Sequence, residues 1–60
     1  MASAATVKQL IGHSVDIERR DGRRDHGVLL SSNGRTLWLV RDEEDVIIPL
    51  AEVEDLHEAS

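Results

Sequence analysis

The sequence predicts a mainly β fold, a short N-terminal helix followed by a five-stranded, strongly bent small barrel. Three observations predict it. Several short runs alternate apolar and polar residues with period two, Asp21-Gly22 and Asn33-Gly34 interrupt those runs as tight-turn dipeptides, and the strands recur at spacings near ten residues, as in small barrels. The 60 residues are expected as one domain, residues 1–60, with residues 1–5 a flexible tail.

The helix is placed at TVKQLIG, where Val7, Leu10 and Ile11 share one face, Thr6 is the N-cap and Gly12 ends the turn. From Ser14 the period becomes two. In SVDIER, Val15 and Ile17 face one way and Asp16 and Glu18 the other. Arg20-Asp21-Gly22-Arg23 turns the chain into a second strand, HGVLLS, where Gly27 marks a bulge or bend that lets a short sheet curl. Asn33-Gly34 leads into a third strand, TLWLV, and RDEED is read as a charged loop. DVIIPL is a fourth strand, apolar on consecutive positions as if covered on both faces, with Pro49 near its end because it has no N–H to donate. AEVEDL gives a last short turn or strand through Val53 and Leu56, and closure of the barrel would remove the exposed edges.

A chain this short buries only about 60% of its unfolded surface, so its stability is marginal and self-association would help. With no cysteine there is neither a disulfide nor a thiolate zinc site to staple it. No stretch reaches the roughly 20 apolar residues of a membrane span, and MASAATVKQL lacks the core of a secretory signal, so a cytoplasmic location without membrane contact is expected.

The net charge of -5 conceals a division. Residues 1–41 carry seven bases against four acids, and residues 42–60 carry eight acids and no Lys or Arg. Such a two-ended chain offers a basic binding face, head-to-tail attraction between copies, or scattered surface charge.

The order of elements resembles the Sm-like small barrel of the Sm, LSm and Hfq proteins. A helix ending Leu10-Ile11-Gly12, then Val15 and Ile17, Asp21-Gly22-Arg23, Gly27 and Leu29, and Ile48 followed by Val53 and Leu56 carry the resemblance over nearly the whole chain. Related SH3-like and PRC-like barrels share these features. With Gly27 and Leu29 laid on the family's Gly-x-Leu, Asn33 falls where the family has its loop Asp, Leu37 where it has an RNA-contacting Asn, and Pro49-Leu50 where it has Arg-Gly. None of the family's RNA-contacting residues carries over. The resemblance still implies the barrel and a tendency to form rings by pairing edge strands.

Arg19, Arg20, Arg23 and Arg24 bracket the first hairpin turn and, with Arg35, are the candidate contacts for a partner or for nucleic-acid phosphates. A solvated turn is the plainer reading, because Asp21 and Asp25 sit among the arginines and no Phe or Tyr is present to stack bases. Trp38, alone in an apolar strand, is assigned to the core. Asp42, Glu43, Glu44 and Asp45 form the candidate acidic interface; they lack the alternating ligands and interior glycine of a calcium loop. His13, His26 and His57 have no metal-ligand spacing and are not expected to share a site. No catalytic residue, cofactor, metal or small-molecule substrate is indicated, so an enzyme is not expected. The function expected is a non-catalytic, self-associating interaction module that binds a protein partner, its basic hairpin meeting the acidic half of a neighbour. An Sm-like RNA-binding regulator is the alternative.

Overall fold

The computed structural model describes residues 4–59, with side chains from residue 7 onward. Helix α1 (Ala4–Leu10) precedes strands β1 (Ser14–Arg19), β2 (Arg24–Ser32), β3 (Thr36–Arg41) and β4 (Glu44–Pro49), a 3-10 turn at Leu50–Glu52, and β5 (Val53–Glu58). The strands form one antiparallel sheet in the order β4-β3-β2-β1-β5. The fold is thus mainly β with one short helix, as expected, but the sheet is not closed. Strands β4 and β5 are its two edges and are not bonded to each other.

Helix α1 begins two residues before Thr6, so Ala4 and Ala5 of the expected tail are helical and Thr6 lies inside the helix, not at its cap. Alanine is the best helix former, which favours the longer start. Residues 1–3 of that tail lie outside the described residues. Gly12 adopts φ +89° and ends the helix, and its N–H donates to the Leu29 carbonyl at 2.7 Å, tying α1 to β2. Val7 is buried and Leu10 packs against the core, whereas Ile11, past the end of the helix, is exposed.

Both hairpin dipeptides work, though only their glycines take positive φ. Gly22 is at +91° and Gly34 at +89°, while Asp21 and Asn33 act through their side chains. Asp21 Oδ1 accepts the Arg23 N–H at 3.0 Å, and Asn33 Oδ1 accepts both the Arg35 and Thr36 N–H groups at 2.9 Å. Each acidic or amide oxygen thus closes its turn from outside the backbone.

Strand β2 is longer than expected and changes partner halfway. Arg24 to Val28 pair with β1, and Val28 to Ser32 pair with β3. Gly27 sits in this handover but makes no bulge; it is in register with Val15. What it provides is clearance: a Cβ there would lie 2.7 Å from the Val40 carbonyl oxygen. The bulge falls three residues later, at Leu30, between the pairs Leu29 with Leu39 and Ser31 with Trp38. A second irregularity lets β5 bury both Val53 and Leu56. Residues three apart on a regular strand face opposite ways, but Glu18 pairs with Asp55 and Arg19 with Val53, so Glu54 is the extra residue that resets the alternation.

The core is Val7, Val15, Ile17, Leu29, Leu37, Leu39, Ile48, Val53 and Leu56, drawn from the helix and all five strands. A seven-residue helix is only about 10 Å long and cannot cover five strands. The sheet therefore curls over its own inner face. Trp38 is not in that core: it is 42% exposed, because Leu37 and Leu39 take the inward positions of β3 and alternation turns Trp38 outward. Strand β4 is likewise covered on one face only, with Ile48 inward and Ile47 exposed.

RDEED is a turn of two residues rather than a loop. Arg41 pairs with Glu44, and Asp42 and Glu43 occupy φ +52° and +68°, the left-handed pair that a two-residue hairpin requires and that Asn-Gly usually fills. Glu44 and Asp45 already belong to β4. Replacing Asp42-Glu43 by Asn-Gly is expected to stabilise the fold by about 1 kcal/mol, raising the melting temperature by about 4–8 °C. Gly27→Ala is expected to cost about 1–3 kcal/mol, since backbone and not a flexible side chain must move away from the new methyl group. Thermal melts of both variants check these outcomes.

Candidate functional site

The antiparallel pairing of β5 with β1 carries the acids of the 3-10 turn and β5 back to the arginine hairpin. Arg19, only 12% exposed, donates from Nε to Asp25 Oδ2 at 2.7 Å and from Nη1 to Glu52 Oε1 at 3.2 Å. Its hydrogen bond to Asp25, above all, holds this guanidinium more firmly protonated than usual. Arg20 donates to the Ala51 carbonyl at 2.9 Å and to Glu54 Oε2 at 3.3 Å. Arg23 meets Asp21 at 2.7 Å and Glu52 at 3.5 Å. Arg24 is the outlier, 81% exposed with one 3.5 Å contact to Glu18. The charge division along the chain is therefore largely folded away at this end, where the arginines meet acids of their own chain.

The remaining candidate residues lie elsewhere. Arg35 is in the β2–β3 turn, and Asp42 to Asp45 are at the β3–β4 turn and the start of β4. All five are exposed, and none takes part in an ion pair among the described residues.

One cluster was not visible in residue spacing. The register places Asp16 opposite His26 on β2 and opposite His57 on β5. His26 Nδ1 lies 2.7 Å from Asp16 Oδ1, His57 Nε2 3.8 Å from Asp16 Oδ2, and His57 Nδ1 2.9 Å from Asp55 Oδ2. Two histidines thus lie beside one carboxylate, a juxtaposition that residue spacing does not reveal, while His13 stands apart beside Glu58 at 3.1 Å. The row lines an open hollow of about 520 Å³ together with Glu18, Arg24 and Arg41. Every member of the row is about half exposed, so each contact contributes little to stability. Among the described residues no group of three His, Asp or Glu side chains is arranged to hold a metal ion.

The third feature is apolar. Val28, Leu30, Trp38 and Ile47 are all exposed, and the register joins them across the outer face of β2, β3 and β4, with Trp38 directly opposite Ile47. A shallow depression of about 210 Å³ runs beside that pair, lined by Ser31, Ser32, Asn33 and Thr36. Apolar side chains gathered on one outer face mark a contact surface more often than a chance of composition. No helix among the described residues is long and apolar enough to cross a membrane.

Asp21 supplies a test of the hairpin. Accepting the Arg23 backbone N–H, and then the Arg23 side chain, holds its carboxyl below the ordinary range. A depressed folded value means the contribution is fully present above the unfolded value near 3.9 and is lost as pH falls through the folded one. Asp21→Asn keeps the acceptor for Arg23 but cannot titrate. Its melting temperature is expected to run parallel to that of the natural protein from pH 7 to 5 and to fall less steeply below about pH 4; parallel curves throughout would exclude the carboxylate's role.

No protein-family model matches the chain, and no curated protein matches it.

Proposed function

We propose that the chain is a non-catalytic interaction module, an Sm-like or SH3-like small barrel that associates with itself and binds a protein partner. A four-stranded antiparallel meander behind a short helix, with β5 returning to pair with β1, supports the barrel reading. The observation that carries the functional reading is the outer face around Trp38 and Ile47, where large apolar side chains stay in solvent although the core of so small a chain has few to spare. A protein surface is the chemistry that would cover it. The expected match between the basic hairpin and an acidic neighbour is not needed, because Glu52 and Glu54 of the same chain already answer Arg19, Arg20 and Arg23.

The same ion pairs weigh against the RNA alternative. Phosphates would have to compete with carboxylates in place, on a chain of net charge -5 and with a single aromatic side chain for stacking. Trp38 is exposed, but it lies on the outer face of β3 rather than among the hairpin arginines.

Solution mass across a concentration series, with and without single-stranded RNA and at two salt concentrations, tests both readings. The expected result is a mass that rises above 6.7 kDa with concentration and does not respond to RNA. A strict monomer at high concentration and low salt would remove the self-association. RNA binding that weakens with salt and disappears in the Arg20→Glu, Arg23→Glu double variant would install the alternative instead.

A further inference from the structure

The open sheet leaves one strand edge whose backbone groups can be assigned individually. In a two-residue hairpin the flanking pair, here Arg41 and Glu44, is hydrogen-bonded, and bonded and unbonded pairs then alternate along the ladder. Leu39 with Val46 and Leu37 with Ile48 are therefore bonded, and the Leu50 N–H donating to Arg35 at 2.7 Å continues the same series. The residues between them, Asp45, Ile47 and Pro49, aim their backbone groups away from β3. Strand β3 is the neighbour along which β4 is laid, and among the described residues no other strand pairs with that outer side. Pro49 lacks an N–H at an outward position, where proline is tolerated. The free edge thus offers donors at Asp45 and Ile47 and acceptors at Asp45, Ile47 and Pro49.

We propose that this edge pairs antiparallel with the same edge of a second copy, centred on Ile47, to give a two-fold symmetric dimer; the proposal rests on the self-association reading above. With Ile47 opposite Ile47 of the other copy, the two exchange both backbone bonds and each Asp45 N–H meets a Pro49 carbonyl, four bonds in all, while each Asp45 carbonyl, which Pro49 cannot supply with an N–H, stays with solvent. The apolar pair Trp38 and Ile47 then becomes the middle of a continuous apolar band across both sheets.

Charge selects this arrangement over its rivals. Centring one residue earlier, on Val46, would make the two Asp45 side chains diagonal neighbours, and like charges so placed are destabilising. Pairing β4 with β5 of another copy is worse, because β5 carries Glu54 and Asp55 towards one end and Glu58 at the other, so Glu44 and Asp45 meet acid in either direction. Centred on Ile47, Glu44 falls opposite Leu50 of the other copy. Arg35 of that copy lies one strand beyond, about 10 Å away between backbones and within side-chain reach. Arg35 and Glu44, which take no part in an ion pair among the described residues of the single chain, answer each other twice in the dimer.

Two variants read the edge directly. Ile47→Lys sets two ammonium groups opposite each other and, at a position 55% exposed, leaves the core intact; it is expected to raise the dimer dissociation constant at least about tenfold, with an unchanged far-ultraviolet spectrum. Ile47→Cys is expected to form a disulfide-linked dimer on mild oxidation, since the Cα atoms of a bonded antiparallel pair lie about 5.5 Å apart, within disulfide range. Glu54→Cys on the β5 edge is expected to form no disulfide-linked dimer under the same conditions, either with itself or with an Ile47→Cys chain. Cross-linking between an Ile47→Cys chain and a Glu54→Cys chain would replace the two-fold dimer by a head-to-tail assembly. Association untouched by Ile47→Lys, or without an Ile47→Cys dimer, would overturn the edge and leave self-association standing; a strictly monomeric natural protein would overturn both.

Discussion

The close approach of Gly27 to the carbonyl of Val40 is the contact on which the rest of the architecture turns. Strand β2 serves β1 with its first half and β3 with its second, and the two halves can diverge only if the chain passes close to β3 at the handover. A side chain at residue 27 would hold β2 and β3 apart there. With hydrogen in that place, the sheet curls until its inner face is lined by its own leucines, isoleucines and valines. That economy matters in 60 residues, where there is no second layer beyond one helix of seven residues and no disulfide to replace it.

Curling also decides the electrostatics. Because β5 returns along β1, Glu52 and Glu54 arrive at the hairpin built by Arg19 to Arg23, although they are about 30 residues distant in sequence. Arg19 is the deepest of these, and Asp25 and Glu52 satisfy it from two different elements. Removing one carboxylate would leave a largely sequestered cation, which is how such a cluster fixes the return of β5 more than it adds net stability. The exposed pairs around it contribute little individually. What the cluster does to function is subtractive: the residues that looked most like a binding surface are occupied, and the outer apolar face and the open β4 edge are left.

Local rules made most of the elements legible. Period-two alternation located β1, and the two glycine turns located the hairpins and the start of β3, because these depend on neighbours within a few residues. Once the first turn closes Arg19 against Arg23, the register that sets Asp16 opposite His26 follows by counting back along both strands. The pairing of β1 with β5 has no such anchor, so the second histidine of that row was out of reach. Trp38 departs from its expected place in the core for a different reason. Hydrophobicity argued for the core, but Leu37 and Leu39 on either side of it can satisfy the inner face only by turning it outward, and alternation outranks composition on a strand covered on one face. The charged run Asp42 to Asp45 concealed a two-residue turn because Asp-Glu is a poor left-handed pair; the strand register imposed the turn against local preference.

That imposed turn bears on the proposed assembly. A left-handed Asp-Glu pair is a standing cost in the single chain, and a more comfortable Asn-Gly would close the same hairpin without it. Acids there are intelligible if their charge has a use, and the opposite end of the same hairpin carries Arg35, exposed and without an ion pair among the described residues. Two-fold pairing of β4 is the operation that exchanges those ends. It also means that folding and assembly share free energy: a marginal monomer whose edge is covered by a second copy gains stability with concentration. The strained turn, the solvent-facing tryptophan and the unpaired edge are then three aspects of one surface, each unfavourable in an isolated chain and each relieved or used by the same contact.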